Sequence, residues 1–297
     1  MDENEWLALR FEEHRLHLRA VAYRMLGSLT EADDAVQDTW LRISRAGASE
    51  VENLAGWLTT IVARVCLNML RSRNFRREDS FGVHLPDPVI SADGEPQPEE
   101  EALLADSVGL ALLVVLDTLS PAERLAFVLH DMFKLPFEEI AVMVGRSPVA
   151  ARQLASRARR RVKGAEIPAP DPDLARQREV VDAFFLAARN GDLDALVRLL
   201  HRDVVLRSDF GAKRPAASVV IRGAEAVAHQ ARPIRGAVVR PALVNGSAGV
   251  VITVGGRPFA VMGFTVADGR ILEIDAIADP ERVARIAAAV LSEEQPN

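Results

Sequence analysis

The sequence has a single cysteine, Cys66, among 297 residues, so no internal disulfide can staple the fold. Its place inside an apolar helical pattern gives it the part of a small buried hydrophobe, and a reducing compartment is expected. Six histidines are scattered along the chain, and no group of residues has the spacing of a zinc site. Neither a Walker loop nor a dinucleotide glycine fingerprint occurs, so no metal and no cofactor are expected. No apolar run reaches the ~18 residues of a membrane span. The opening Met1-Asp2-Glu3-Asn4-Glu5 is acidic where a secretory signal is basic. These absences predict a cytoplasmic protein with no membrane partner. The rest of the composition is ordinary for a globular chain, 49% hydrophobic and 26% charged, at a length that suits two or three compact units.

The most informative stretch runs from Leu119 to Lys163. Ser120-Pro121-Ala122-Glu123 is a capping box with proline at the first helical position, and Leu125, Val128, Leu129 and Met132 follow at helical spacing. A second short pattern, Phe137, Ile140, Ala141 and Val144, stops at Gly145, where a tight turn can use positive φ. Ser147-Pro148 then starts a third helix. Short helix, glycine turn and longer helix match the helix-turn-helix, whose second member lies in the major groove. This last segment concentrates Arg146, Arg152, Arg157, Arg159, Arg160, Arg161 and Lys163 with no acidic residue between them, in a chain of net charge −6. Such a one-signed stretch suits phosphate contact. Ala151, Leu154, Ala158 and Val162 are expected to pack inward, leaving Arg152, Gln153, Ser156, Arg157 and Arg160 for base edges and phosphates.

Upstream, Leu7, Phe11, Leu18, Val21 and Met25 share one helical face. Thr30-Glu31-Ala32-Asp33 is read as a second capping box, opening a helix whose other face is acidic and polar. A third helix begins at Leu54, and the segment Trp57 to Arg77 carries only basic charge. Between Glu78 and Asp106 the character inverts: nine acidic residues, no lysine or arginine, and prolines at 86, 88, 96 and 98. This composition predicts an extended, mobile linker that holds the two helical modules apart. His84-Leu85-Pro86-Asp87-Pro88 is an apolar island in it, open to reading as a docking contact or as a spacer. After a second proline-containing linker, 165–173, helices at Leu174–Asn190 and Leu193–Leu200 precede strand-like runs at 204–210, 218–221, 237–244, 249–254, 259–266 and 271–277. A short helix at 224–231 and a closing helix from Asp279-Pro280 complete the pattern, and Gly255-Gly256 reads as a hairpin turn.

Together the helical modules resemble bacterial extracytoplasmic-function sigma factors. Residues 31–42, Glu-Ala-Asp-Asp-Ala-Val-Gln-Asp-Thr-Trp-Leu-Arg, look like the family's region 2.2, and Gly56 to Arg64 is similar to the start of region 2.3 to 2.4. Leu119-Ser120-Pro121-Ala122-Glu123-Arg124 and the helix-turn-helix look like region 4. The resemblance implies binding to core RNA polymerase, at the β′ coiled coil and the β flap, and to promoter DNA. Asp33, Asp34, Gln37, Asp38, Trp40 and Leu41 become polymerase contacts. Arg64, Asn68, Arg71, Arg73 and Asn74 become contacts of region 2 with the −10 element. Arg146, Val149, Arg152, Gln153, Ser156, Arg157 and Arg160 become contacts of region 4 with the −35 element. The linker of such factors threads the polymerase cleft.

The C-terminal part resembles the SnoaL-like, nuclear-transport-factor-2-like cone, in which helices pack in a curved sheet with a pocket at its open end. A recognised subgroup of these sigma factors carries that extension, with motifs of the form W-L-P-E-P, D-G-G-G-[KR] and N-P-D-K-L. The chain has His84-Leu85-Pro86-Asp87-Pro88, Asp209-Phe210-Gly211-Ala212-Lys213 and Asp279-Pro280-Glu281-Arg282-Val283 in their places. His84 to Pro88, Asp209, Gly211, Lys213, Asp279 and Pro280 are therefore expected to form an interdomain regulatory contact. The implied architecture is multidomain: region 2 (1–77), acidic linker (78–106), region 4 (107–164), linker (165–173) and an α+β cone (174–297). The expected function is that of an alternative sigma factor, not an enzyme, with the cone regulating in cis. The alternative is a sigma-like DNA-binding protein whose cone senses a small-molecule ligand or performs acid-base chemistry through Asp209, His229 and Asp275.

Overall fold

The computed structural model describes residues 3–46, 53–77, 83–92, 109–165, 170–211 and 213–292. Residues 78–82 and 93–106 of the acidic linker, 166–169 of the second linker, Ala212, and the side chains of Asn74, Arg76 and Arg77 lie outside the described residues. The chain divides into two compact units, Met1–Glu78 with Leu112–Glu166, and Asp79–Ala111 with Ile167–Asn297.

The first unit is helical. Helices α1 (Glu3–Leu26), α2 (Leu29–Ala46) and α3 (Leu54–Arg77) bury Leu7, Phe11, Leu18, Tyr23, Met25 and Leu58 between them. Gly27 turns the chain between α1 and α2 at φ 73°, a conformation that side chains with a Cβ resist. Here α2 begins at Leu29, so the expected cap at Thr30 is already inside the helix. Cys66 is fully buried, and burial pushes its thiol pKa up.

The helix-turn-helix lies in the same unit. After α4 (Leu110–Asp117), Ser120 and Glu123 form the reciprocal capping box of α5 (Pro121–Phe127), which runs into a π-helical turn at Val128–Met132. Helix α6 (Phe137–Val144) ends on Gly145 at φ 66°, and Ser147 accepts from the Ala150 N–H to start α7 (Pro148–Gly164). The expected distance between the modules is not kept. Arg124 of α5 is 1% exposed and donates to the Arg24 carbonyl of α1 at 3.2 Å and to Asp117 at 3.0 Å. Phe133 meets the Arg24 guanidinium at 5.0 Å and the His17 ring at 5.3 Å. Packing of apolar and aromatic faces thus outweighs the tendency of a charged linker to separate them.

In the second unit, helices α8 (Leu174–Asn190) and α9 (Leu193–Leu199) lead into strands β2 (Leu200–Asp209) and β3 (Val219–Arg222). Helix α10 (Ala224–Gln230) and strands β4 (Ala237–Val244), β5 (Ser247–Val254), β6 (Arg257–Ala267) and β7 (Arg270–Ile277) follow. Helices α11 (Pro280–Ile286) and α12 (Ala288–Ser292) close the described chain. With β1 (Ile90–Ala92) the sheet order is β1-β4-β5-β6-β7-β2-β3, antiparallel except for β2 and β7. Register shifts at Ile252/Thr253 and Thr265/Val266 mark bulges that bend such a sheet. Phe184, Phe185 and Phe264 cluster with ring centroids 5.5 to 5.9 Å apart where α8 packs on the sheet.

The acidic linker departs most from expectation. Its described residues 83–92 are not an extended spacer: Leu85, Asp87, Val89 and Ile90 are buried in the second unit, and β1 pairs antiparallel with β4, Ile90 opposite Val244. Pro86 and Pro88 pre-set the extended backbone that an edge strand needs, and apolar burial together with one arginine supplies the rest.

Candidate nucleic-acid interface and linker clamp

Helix α7 turns Ala151, Leu154, Ala155 and Ala158 inward, which fixes what its other face presents. Arg146, Val149, Arg152, Gln153 and Arg160 are exposed, and Ser156 is half-buried. The sequence of the helix hides a partition among its arginines. Glu123 of the capping box accepts from Arg157 at 3.0 Å and Arg161 at 3.1 Å, and Asp131 pairs with Arg159 at 2.6 Å. Burial alone would raise the Glu123 carboxyl, but Ser120 and these two guanidiniums hold it below its ordinary value. Arg146, Arg152 and Arg160 form no ion pair among the described residues, and Arg152 lies over the Phe137 ring at 5.3 Å. Arg157 is thus tied into the fold by the Glu123 carboxylate of α5, a neutralisation that periodicity within one helix cannot reveal.

On α3, Arg64, Asn68 and Arg71 are exposed on one face at helical spacing. Arg73 is turned elsewhere: it donates to the Leu26 carbonyl at 3.1 Å and pairs with Glu31, stapling α3 to the start of α2. On α2, Asp33, Asp34, Gln37 and Leu41 are exposed. Asp33 pairs with Arg19 at 2.7 Å and Asp38 with Arg42 at 2.9 Å. Trp40 is half-buried and packs on Phe11, ring centroids 5.2 Å apart.

The linker island meets the C-terminal sheet at a buried clamp centred on Arg282. Its guanidinium donates to Asp87 Oδ1 from Nε at 2.8 Å and from Nη2 at 2.6 Å, to the Leu85 carbonyl at 2.6 Å, and to Asp209 Oδ2 at 2.6 Å. Asp209 also accepts from the backbone N–H of Leu85 and of Gly211, each at 2.8 Å. Its environment decides its charge. Burial alone would raise its pKa, but the Leu85 N–H, the Arg282 guanidinium and the Gly211 N–H together hold the carboxyl below its ordinary value. Burial likewise opposes charge on Arg282, and Asp87 and Asp209 outweigh it to raise its pKa. One turn further, Val89 and Asn245 exchange two hydrogen bonds, 2.7 and 2.9 Å. Asp279 caps α11 through the Arg282 N–H at 2.9 Å. Gly211 sits at φ 78° and a Cβ there would fall 1.9 Å from Asp279 Oδ2, so only glycine fits. His84 lies 3.5 Å from Asp209, and Lys213 pairs with Glu281 at the surface.

Two family models match the helical unit, Sigma-70 region 2 over residues 10–76 and Sigma-70, region 4 over residues 109–162. ECF RNA polymerase sigma factor SigJ of Mycobacterium tuberculosis (strain ATCC 25618 / H37Rv) is 40% identical over 290 residues, which cover 92% of this chain and 91% of SigJ. The chain belongs to the ECF RNA polymerase sigma factors. A second relative of this sigma factor, the probable ECF sigma factor SigI of Mycobacterium tuberculosis (strain CDC 1551 / Oshkosh), is 33% identical over 288 residues, covering 94% and 96% of the two chains. The crystal structure of Mycobacterium tuberculosis SigJ matches with a TM-score of 0.71 at 35% identity, over 93% of this chain and 97% of that one. Sigma factors bind RNA polymerase and promoter DNA and are not enzymes.

The three residues that an acid-base reading of the cone requires do not converge. Asp209 is consumed by the clamp. Asp275 is fully buried against Arg207 at 3.0 Å, and burial pushes its pKa up to about 6 despite that partner. His229 lines a separate recess with Leu193, Asp194 and Glu225. Sequence reasoning missed Arg282 and Asn245 as clamp residues. Arg282 stands inside the quoted terminal motif, and a buried acid in the linker motif was the available signal for a basic partner there. No helix among the described residues is long and apolar enough to cross a membrane.

Proposed function

We propose that this sigma factor reads the −35 element with α7 and the turn before it, through Arg146, Val149, Arg152, Gln153, Ser156 and Arg160, and engages the −10 element with the Arg64, Asn68 and Arg71 face of α3. Asp34, Gln37 and Leu41 are the contact with the β′ coiled coil, region 4 carries the contact with the β flap, and the site of action is the cytoplasm. Strand opening draws on binding energy to polymerase and to unstacked bases, and needs no nucleotide of its own. The C-terminal domain regulates in cis by holding residues 84–92, the middle of the tether between the two DNA-reading modules.

The Arg282 clamp carries this regulatory reading. A linker whose Asp87 is bound by Arg282 and whose Leu85 is buried cannot at the same time lie in a polymerase cleft, so clamped and released forms are alternatives whose ratio sets output. Run-off transcription with core polymerase tests it, comparing the full chain with Asp87→Ala and Arg282→Ala on promoter fragments recovered with the holoenzyme. More product from both variants is the expected result. Equal product at equal core affinity would remove the cis-regulatory role and leave the sigma activity standing.

A further inference from the structure

The C-terminal sheet and α8 enclose a cavity of about 410 Å³. Its body is apolar, formed by Phe184, Phe185, Ile252 and Met262 among others, and its lining contains no aspartate, glutamate or histidine. A cavity without a titrating acid or base has no means of proton transfer, which favours binding over chemistry. Two arginines line it, Arg189 at the end of α8 and Arg232 after α10, and both are exposed, which puts them at the mouth. Neither forms an ion pair among the described residues, although Arg232 Nε reaches the His229 carbonyl at 3.4 Å. At about 30 Å³ for a water-sized group, the volume holds roughly a dozen methylene-sized groups.

We propose that this cavity binds a small carboxylate with an apolar body of about ten carbons, the hydrocarbon among the phenylalanines and the carboxylate on Arg189 and Arg232. Guanidinium and carboxylate suit each other in shape and charge, and an apolar enclosure with a few polar groups at one end is the ordinary form of a ligand site. The strand alternation ties occupancy to the linker. On β2 and just beyond it, Leu206, Ser208 and Phe210 line the cavity while Asp209 between them holds Leu85 and Arg282. On β7, Ile274 and Ala276 line it, as does Ala278 beyond the strand end, whose N–H donates to the Asp209 carbonyl at 2.8 Å. The sensing role rests on the cis-regulatory reading above; the binding itself does not.

Calorimetric titration of the full chain with decanoate, decanol and decylamine, in the absence of polymerase, tests the binding. Decanoate is expected to bind at least roughly tenfold more tightly than decanol or decylamine. Joint Arg189→Gln and Arg232→Gln substitution, at two exposed positions that leave the core intact, should remove that advantage without changing decanol binding. Filling the cavity with Ala260→Trp should abolish binding of both. Decanol binding as tightly as decanoate, or decanoate binding unchanged in the double variant, overturns the proposal. Because no transcription is read, either result is separate from the fate of the clamp, which Arg282→Ala decides.

Discussion

Two buried arginines each join segments distant in sequence, and they do so by different physics. Arg124 sits among apolar helices and donates to the Arg24 carbonyl and to Asp117, a carboxylate that keeps 14% of its side-chain surface. Arg282 faces two carboxylates, Asp87 and Asp209, whose side chains are 9% and 1% exposed, and also takes the Leu85 carbonyl. The join inside the helical unit is mostly packing with a polar pin. The linker clamp is mostly charge, and it loses its logic when any one member changes protonation or identity. Packed interfaces resist changes of solution conditions; charged clusters answer to them.

The largest effect expected is from Arg282→Ala, which leaves two buried carboxylates facing one another. The C-terminal domain should lose about 3–5 kcal/mol in chemical denaturation, as broken buried pairs do, and residues 84–89 should become open to proteolysis. A loss below about 1 kcal/mol would place the holding energy in β1 and Leu85 and erase the contrast drawn above. Arg124→Met replaces a pin within apolar surroundings, so urea titration of the full chain should register about 2 kcal/mol with apolar packing retained.

Among the arginines of α7 the contrast becomes one of function against fold. Arg152→Ala should weaken promoter binding by the holoenzyme and reduce the slope of log affinity on log salt by about one. Arg157→Ala should leave that slope unchanged and cost the fold at most about 1 kcal/mol, since the Arg157 side chain is half exposed and Glu123 keeps Arg161. An equal change in slope for both would return Arg157 to the DNA.

Acid separates two aspartates of one sheet. Asp275 has its pKa raised to about 6 by burial, so the folded form binds more protons than the unfolded one between about pH 4 and 6, and its contribution to stability falls as pH rises through that window. Thermal unfolding should show a gain of about 1 kcal/mol from this group between pH 7 and pH 5, absent in Asp275→Asn. Asp209 is held below its ordinary value, so its contribution is present above the usual carboxylate range and is lost as pH falls below about 4. The same titration followed by proteolysis of the linker should therefore show the clamp intact at pH 5 and opening only in stronger acid.

Much of the architecture was legible because it is written locally. The capping box at Ser120, the glycine stop at Gly145 and the apolar periods of α6 and α7 lie where the pattern puts them, and the hairpin glycines 255 and 256 both take positive φ. What stayed illegible depends on partners elsewhere. Ile90–Ala92 is a strand only because the edge of β4 is free to receive it, and three residues carry no period of their own. Arg157 and Arg73 looked like free cations until Glu123 and Glu31 arrived from other helices. Asp209, read as an interdomain residue from its motif and as a pocket acid from its chemistry, is taken up by the linker contact, its Oδ2 accepting from Arg282 and the Leu85 N–H and its Oδ1 from the Gly211 N–H.

The pairing of β1 with β4 also bears on ancestry. A recombination event that carried away only the coding sequence after residue 173 would leave the edge of β4 bare and strand Leu85, Val89 and Ile90 in water. The piece that folds as one is therefore discontinuous in sequence, a short stretch between the two helical modules joined to the long block that follows them.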